Sequence, residues 1–187
     1  EYVVPLIKDK IQIEHSELVV YRTIQTCGIP ESVLADKLLG IENIYSDVSI
    51  AYLPSNMGVR IRLGAFGFSS IEAESKIQPV EDFIYSKVGE HIFGVGEISL
   101  SEAVGNLLKA QKKTVAVAES CTGGMLGGIL TDIPGSSEYF MGGIIAYSNN
   151  AKMKILGVSL ETIEKYGAVS KETATEMAEN VRKLFST

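Results

Sequence analysis

Two hydrophobic rhythms divide this chain. In the first half, Leu18 to Thr26 is rich in β-branched residues and reads as a strand. Gly28-Ile29-Pro30-Glu31-Ser32 opens a helix with proline in its first turn; Val33, Leu34 and Leu38 share one face until Gly40 stops it. Val48, Ile50 and Tyr52 alternate, Pro54 to Gly58 turns, and Val59, Ile61, Leu63 and Ala65 alternate again with Arg60 and Arg62 outward. That pattern predicts a hairpin with one wet face. A helix follows from Ser70, broken or restarted at Pro79, with Val80, Phe83, Ile84 and Val88 inward, and His91-Ile92-Phe93 closes the sheet. The order β-α-β-β-α-β predicts an α+β domain of split β-α-β, ferredoxin-like type with helices on one face. Gly94-Val95-Gly96 marks a hinge, dividing the chain into residues 1–96 and 97–187.

The second half has longer periods. Ser99 with Glu102 forms a capping box for a helix whose stripe is Leu100, Ala103, Val104, Leu107 and Leu108. Thr114 to Ala118 is an uncharged apolar run, short enough for a buried strand, followed abruptly by Glu119-Ser120-Cys121-Thr122-Gly123-Gly124. Met125, Leu126, Ile129 and Leu130 then recur at helical spacing, so Ser120 and Thr122 fall at a helix N-terminus, where unpaired N–H groups favour an anion. A second strand, Ile144 to Ala146, ends in Tyr147-Ser148-Asn149-Asn150-Ala151-Lys152, with Asn149 or Asn150 as the next helix cap. If the strands are parallel neighbours, both turns lie at one carboxyl edge, where open α/β sheets bind ligands. Helices follow to Gly157, from Ser159 to Tyr166, and from Ser170 onward with Ala174, Met177, Val181 and Phe185 on one face. Two strands are fewer than the three or more an independent sheet normally needs, so the expectation here is a truncated α/β sandwich.

Composition narrows the chemistry. Of the 187 residues, the acidic side chains concentrate before Ile98, giving that half a net charge of −6 and the remainder zero. Such a half carries no electrostatic footprint for nucleic acid. No run approaches the roughly 18 apolar residues of a membrane span, and Glu1 to Ile13 lacks a signal-peptide pattern; the expected location is the cytoplasm. Cys27 and Cys121 are too few for a disulfide framework or zinc site, and the second half has no histidine to activate Cys121. Ser120, Lys152 and Tyr147 at one sheet edge suit a serine nucleophile with an amine base, the amine acting only when neutral. Each also has an ordinary reading: Ser120 as a helix cap, Lys152 as a solvated helix residue, Tyr147 as a packing residue.

Taken in order, AESCTGG, TDIPGSS, AYSNNAK, LGV and GAVSKETA resemble the C-terminal domain of the CinA family of competence/damage-inducible proteins. RTIQTCGIPES, AYLPSNMGVRIRLGAFG and VGEHIFGVGEISL resemble that family's linker domain. The resemblance implies nicotinamide mononucleotide deamidation, an amide hydrolysis that needs no metal or cofactor. It implies Ser120 as nucleophile, Lys152 as base, Tyr147 as orienting partner, and Thr122 with Gly123 and Gly124 as phosphate or oxyanion contacts; Ser136 and Ser137 are further candidates for the ribose phosphate. Glu119 reads as a residue that holds the turn through hydrogen bonds. The family's linker is often likened to KH modules, but Gly64-Ala65-Phe66-Gly67 lacks basic flanks and reads as a strand end, so the likeness implies fold without nucleic-acid binding. The expected partners are a small nucleotide and further copies of the chain, with no nucleic acid and no membrane. Missing family segments on both sides imply an internal, inactive fragment of an active parent. The alternative is a non-catalytic nucleotide-binding or oligomerisation module.

Overall fold

The computed structural model describes residues 17–55 and 58–187; the expectations for Glu1 to Ile13 and for Asn56 and Met57 in the hairpin turn lie outside them. The chain forms two compact units that meet in sequence between Ile98 and Ser99.

In the first unit, β1 (Leu18–Thr26) is followed by α1 (Glu31–Lys37) and the short α2 (Ile41–Ile44), then by the hairpin of β2 (Val48–Ser55) and β3 (Gly58–Gly67). α3 (Ser70–Val88) crosses back to β4 (Ile92–Val95). The sheet order is β2-β3-β1-β4, and every neighbouring pair is antiparallel. This is the expected split β-α-β topology. Alternation sorts the strands: Ile24, Ile61, Leu63 and Ala65 are fully buried against Ile77, Val80 and Ile84 of α3. Proline does not break α3, which runs through Pro79 as one helix. Burial of Ile77, Val80, Ile84 and Val88 along one face outweighs the lost hydrogen bond that an internal proline imposes.

The second unit comprises α4 (Leu100–Ala110), β5 (Val115–Glu119), α5 (Met125–Thr131), β6 (Phe140–Ile145), α6 (Asn149–Leu156), α7 (Leu160–Tyr166) and α8 (Lys171–Phe185). β5 and β6 are parallel, with Val117 opposite Gly143 and Glu119 opposite Ile145. β6 begins earlier than the apolar run suggests, and α6 is capped by Ser148, whose hydroxyl accepts from the Ala151 N–H at 3.1 Å. α5 also turns differently from its apolar spacing. Met125 and Leu126 are exposed, and Leu130 is its buried residue. A separate core gathers Ala146, Leu156, Val158, Met177 and Val181 beneath the sheet.

Candidate active site

Because β5 and β6 are parallel, their carboxyl ends, Glu119 and Ile145, lie at one edge. The chain leaves β5 through a tight turn: the Gly123 N–H donates to Ser120 O at 3.0 Å and the Met125 N–H to Thr122 O at 3.1 Å. Gly123 and Gly124 have φ of 62° and 101°, conformations that side-chain-bearing residues rarely adopt. A Cβ at Gly124 would also stand 2.8 Å from Ile145 Cδ1.

Glu119, only 4% exposed, holds this turn from beneath. Its carboxylate accepts the N–H groups of Gly124 (3.1 Å), Leu126 (3.0 Å) and Gly127 (2.8 Å). Burial works to raise its pKa, but these backbone donors and the Thr122 side chain outweigh it and hold the carboxyl below its ordinary value. The N-terminus of α5 is therefore already filled by a carboxylate of the chain itself. The expected anion contact through the Gly123 and Gly124 N–H groups is corrected accordingly: one closes the turn and the other binds Glu119. The Cys121 and Thr122 N–H groups have no acceptor among the described residues.

Lys152 enters the same edge from the first turn of α6. The side chain is 2% exposed, and Nζ lies 2.9 Å from Ser120 Oγ, 3.0 Å from Ala146 O and 3.1 Å from Tyr147 O. The two carbonyls can only accept. Nζ thus donates to three oxygens, those of the Ser120 hydroxyl and the two carbonyls. The Tyr147 ring, by contrast, is 76% exposed, so this residue's contact with the amine is its main-chain carbonyl.

Ser120, Thr122 and Lys152 line a cavity of about 240 Å³ whose opposite wall is Val169, Ala174 and Met177. Ser136 and Ser137 are not brought there. They form the turn before β6, at the amino edge of the sheet, opposite to Ser120. In a parallel pair, residues that precede a strand and residues that follow it are separated by the strand's length. The α8 wall went unnoticed in the sequence because Ala174 and Met177 share the spacing of core positions. Ser170, which caps α8 and also lines the cavity, was the available signal.

A split β-α-β unit followed by an α/β unit with a buried lysine set on a serine defines a two-domain protein whose candidate chemistry lies in its second domain. Family models match both units: "Damage-inducible protein CinA KH domain" over residues 21–94 and "CinA C-terminal domain" over residues 97–187. The chain belongs to the CinA family. It is 42% identical over 168 residues to a CinA-like protein of Salinibacter ruber, covering 89% of this chain and 40% of that protein. It is 43% identical over 182 residues to a putative competence-damage inducible protein of Halothermothrix orenii, covering 97% and 43% respectively. The chain thus spans less than half the length of the curated relatives it matches. Among solved structures, the competence/damage inducible protein CihA from Agrobacterium tumefaciens is 40% identical, with 46% of this chain and 52% of that one covered and a TM-score of 0.45.

Proposed function

We propose that this chain carries the nucleophile and base of an amide hydrolase acting on nicotinamide mononucleotide. The observation that carries the reading is the Lys152 Nζ to Ser120 Oγ hydrogen bond of 2.9 Å, made by an amine whose other two directions are taken by carbonyls. Ser120 Oγ bonds to the carboxamide carbon as its proton passes to neutral Lys152. The carbonyl electron pair moves onto oxygen, where the Cys121 and Thr122 N–H groups receive it. Collapse breaks the C–N bond while Lys152 returns the proton to nitrogen, and ammonia leaves. Water then adds to the acyl ester and gives one proton to Lys152; collapse breaks the ester C–O bond as Lys152 returns that proton to Ser120 Oγ, and the acid product releases its remaining proton to solvent as the carboxylate. Thr122 faces the substrate, and Gly123 and Gly124 shape the turn that presents Ser120. Tyr147 orients Lys152 through its carbonyl. The apolar wall of Val169, Ala174 and Met177 suits the face of a pyridine ring.

The test is ammonia release from nicotinamide mononucleotide by the intact protein, with Ser120→Ala and Lys152→Met beside it. Loss of turnover by about three orders of magnitude or more in both variants, with folding intact, is expected. Turnover that survives Ser120→Ala overturns the nucleophile. Binding of the nucleotide without any ammonia release replaces the hydrolase with a nucleotide-binding module.

A further inference from the structure

The first unit has one face that its own helices do not cover. The exposed residues of that face are Val19 and Tyr21 on β1 and Arg62 and Phe66 on β3, with Arg60 half-buried; Thr23 and Gln25, further along β1, are buried, and Gln25 Nε2 donates to Gly96 O at 2.6 Å. β1 and β3 are the two central strands of the sheet. Tyr21 is 65% exposed and Phe66 57% exposed, although β-strand aromatics of a compact unit ordinarily bury their rings. Register sets Tyr21 opposite Gly64 and Val19 opposite Phe66, so the two rings are diagonal neighbours on one face.

The surroundings of Tyr21 form a flat platform. A Cβ at Gly64 would stand 2.8 Å from the Tyr21 ring, so the ring lies over bare backbone and turns its other face outward. The Arg62 guanidinium carbon is 6.0 Å from the ring centre. On the same strand Arg60 holds a buried Nε without a hydrogen-bond partner. A shallow depression beside Tyr21 is bounded by Thr23, Arg62, Val95 and Glu97.

Charge is sorted by layer. The four strands contain Arg22, Arg60 and Arg62 and no aspartate or glutamate. Glu31, Asp36, Glu42, Glu72, Glu74, Glu81 and Asp82 all lie on helices, and Glu81 takes Arg22 at 2.6 Å on the helix side. The two arginines of the open face are thus free of a neighbouring strand carboxylate. The expectation that this half avoids nucleic acid rested on its net charge; the fold puts seven of its described acidic residues on helices, leaves arginines as the charged residues of the strands, and sets Glu97 at the rim of the open face.

We propose that this face binds single-stranded nucleic acid, with Tyr21 and Phe66 each stacking an unpaired base and Arg60 and Arg62 contacting phosphates. Exposed aromatics on the central strands of a four-stranded sheet offer π-faces only to bases already out of a duplex, and arginine supplies the phosphate contact. Glu97, at the rim, can accept from an exocyclic amino group. The site is separate from the Ser120–Lys152 pair and does not depend on that reading.

Fluorescence anisotropy tests it with labelled oligouridine and oligodeoxythymidine of about ten nucleotides, a duplex of similar length, and the 187-residue chain at low salt. Both single strands should bind better than the duplex; their ratio tells whether the ribose hydroxyl contributes. Tyr21→Ala and Phe66→Ala should each weaken binding about tenfold, and Tyr21→Phe should retain it and so exclude a folding artefact. Arg62→Gln should lower the slope of log affinity against log salt by about one. Absence of single-strand binding overturns the proposal. So does binding indifferent to both aromatic variants, or a dimer that Phe66→Ala dissociates, which would make the face a contact between copies.

Discussion

Lys152 and Glu119 are both buried ionisable groups at the same turn, and they differ in what surrounds them. Lys152 Nζ meets three oxygens and no carboxylate, so the site does not lock it as an ion pair. Glu119 meets only donors, which fix it as an anion. Because its folded pKa lies below the unfolded value of about 4.3, its stabilisation is fully present above that pH and is lost as pH falls through the folded value. Glu119→Gln presents an NH₂ where an acceptor is needed and should cost about 1–3 kcal/mol at neutral pH. Urea midpoints for wild type and variant at about pH 7 and about pH 3 should converge as the wild-type carboxylate is protonated. An equal gap at both pH values would deny the carboxylate this role. Tyr147→Phe keeps the main-chain carbonyl that holds Lys152, so steady-state kinetics should return near wild-type turnover.

β6 is the element whose position depends most on glycine. Gly142 has φ of 144°, and a Cβ there would stand 2.5 Å from the Phe185 ring of α8; one at Gly143 would stand 2.7 Å from Val117 Cγ2. Gly142→Ala should therefore destabilise the second unit by about 1–3 kcal/mol. Gly128→Ala, in α5 with open space around it, should be neutral or stabilising by about 0.5–1 kcal/mol. Thermal melts of the two variants decide this, and equal shifts would contradict it. The same glycines explain why β6 was only half legible: they carry no hydrophobic signal, so the strand read as Ile144 to Ala146. Helix starts were plain wherever a hydroxyl cap stood in sequence, as at Ser99, Ser159 and Ser170, each accepting the N–H three residues on. At α6 three adjacent polar residues competed, and only geometry selects Ser148 over Asn149. The placement of Ser120 and Thr122 in the turn after β5, and of Lys152 at the turn after β6 on the same sheet edge, was legible from strand-to-helix spacing. Glu119 was legible as the residue that holds the turn through hydrogen bonds; what spacing could not convey was that it takes the N–H groups of the helix N-terminus to do so, or that Ser136 and Ser137 precede their strand.

The two units have hydrophobic cores with no residue in common, one built on Ile24, Leu63 and Ile84, the other on Leu156, Met177 and Val181. Separate cores predict separable energetics. Leu63→Ala empties a fully buried site in the first, and Leu156→Ala a site 3% exposed in the second. Each should cost about 2–5 kcal/mol, and the double variant should equal the sum within about 0.5 kcal/mol. Hydrogen exchange gives the sharper reading: Leu63→Ala should reduce amide protection in β1 to β4 and leave β5, β6 and α8 protected, while Leu156→Ala does the reverse. In the intact protein the proposed ammonia release should then follow the second pattern and the proposed single-strand binding the first, since Ser120 and Lys152 rest on one core and Tyr21 and Phe66 on the other. Protection lost throughout the chain in either variant would mean that the units fold as one cooperative body, and that neither activity can be assigned to one of them by truncating its core.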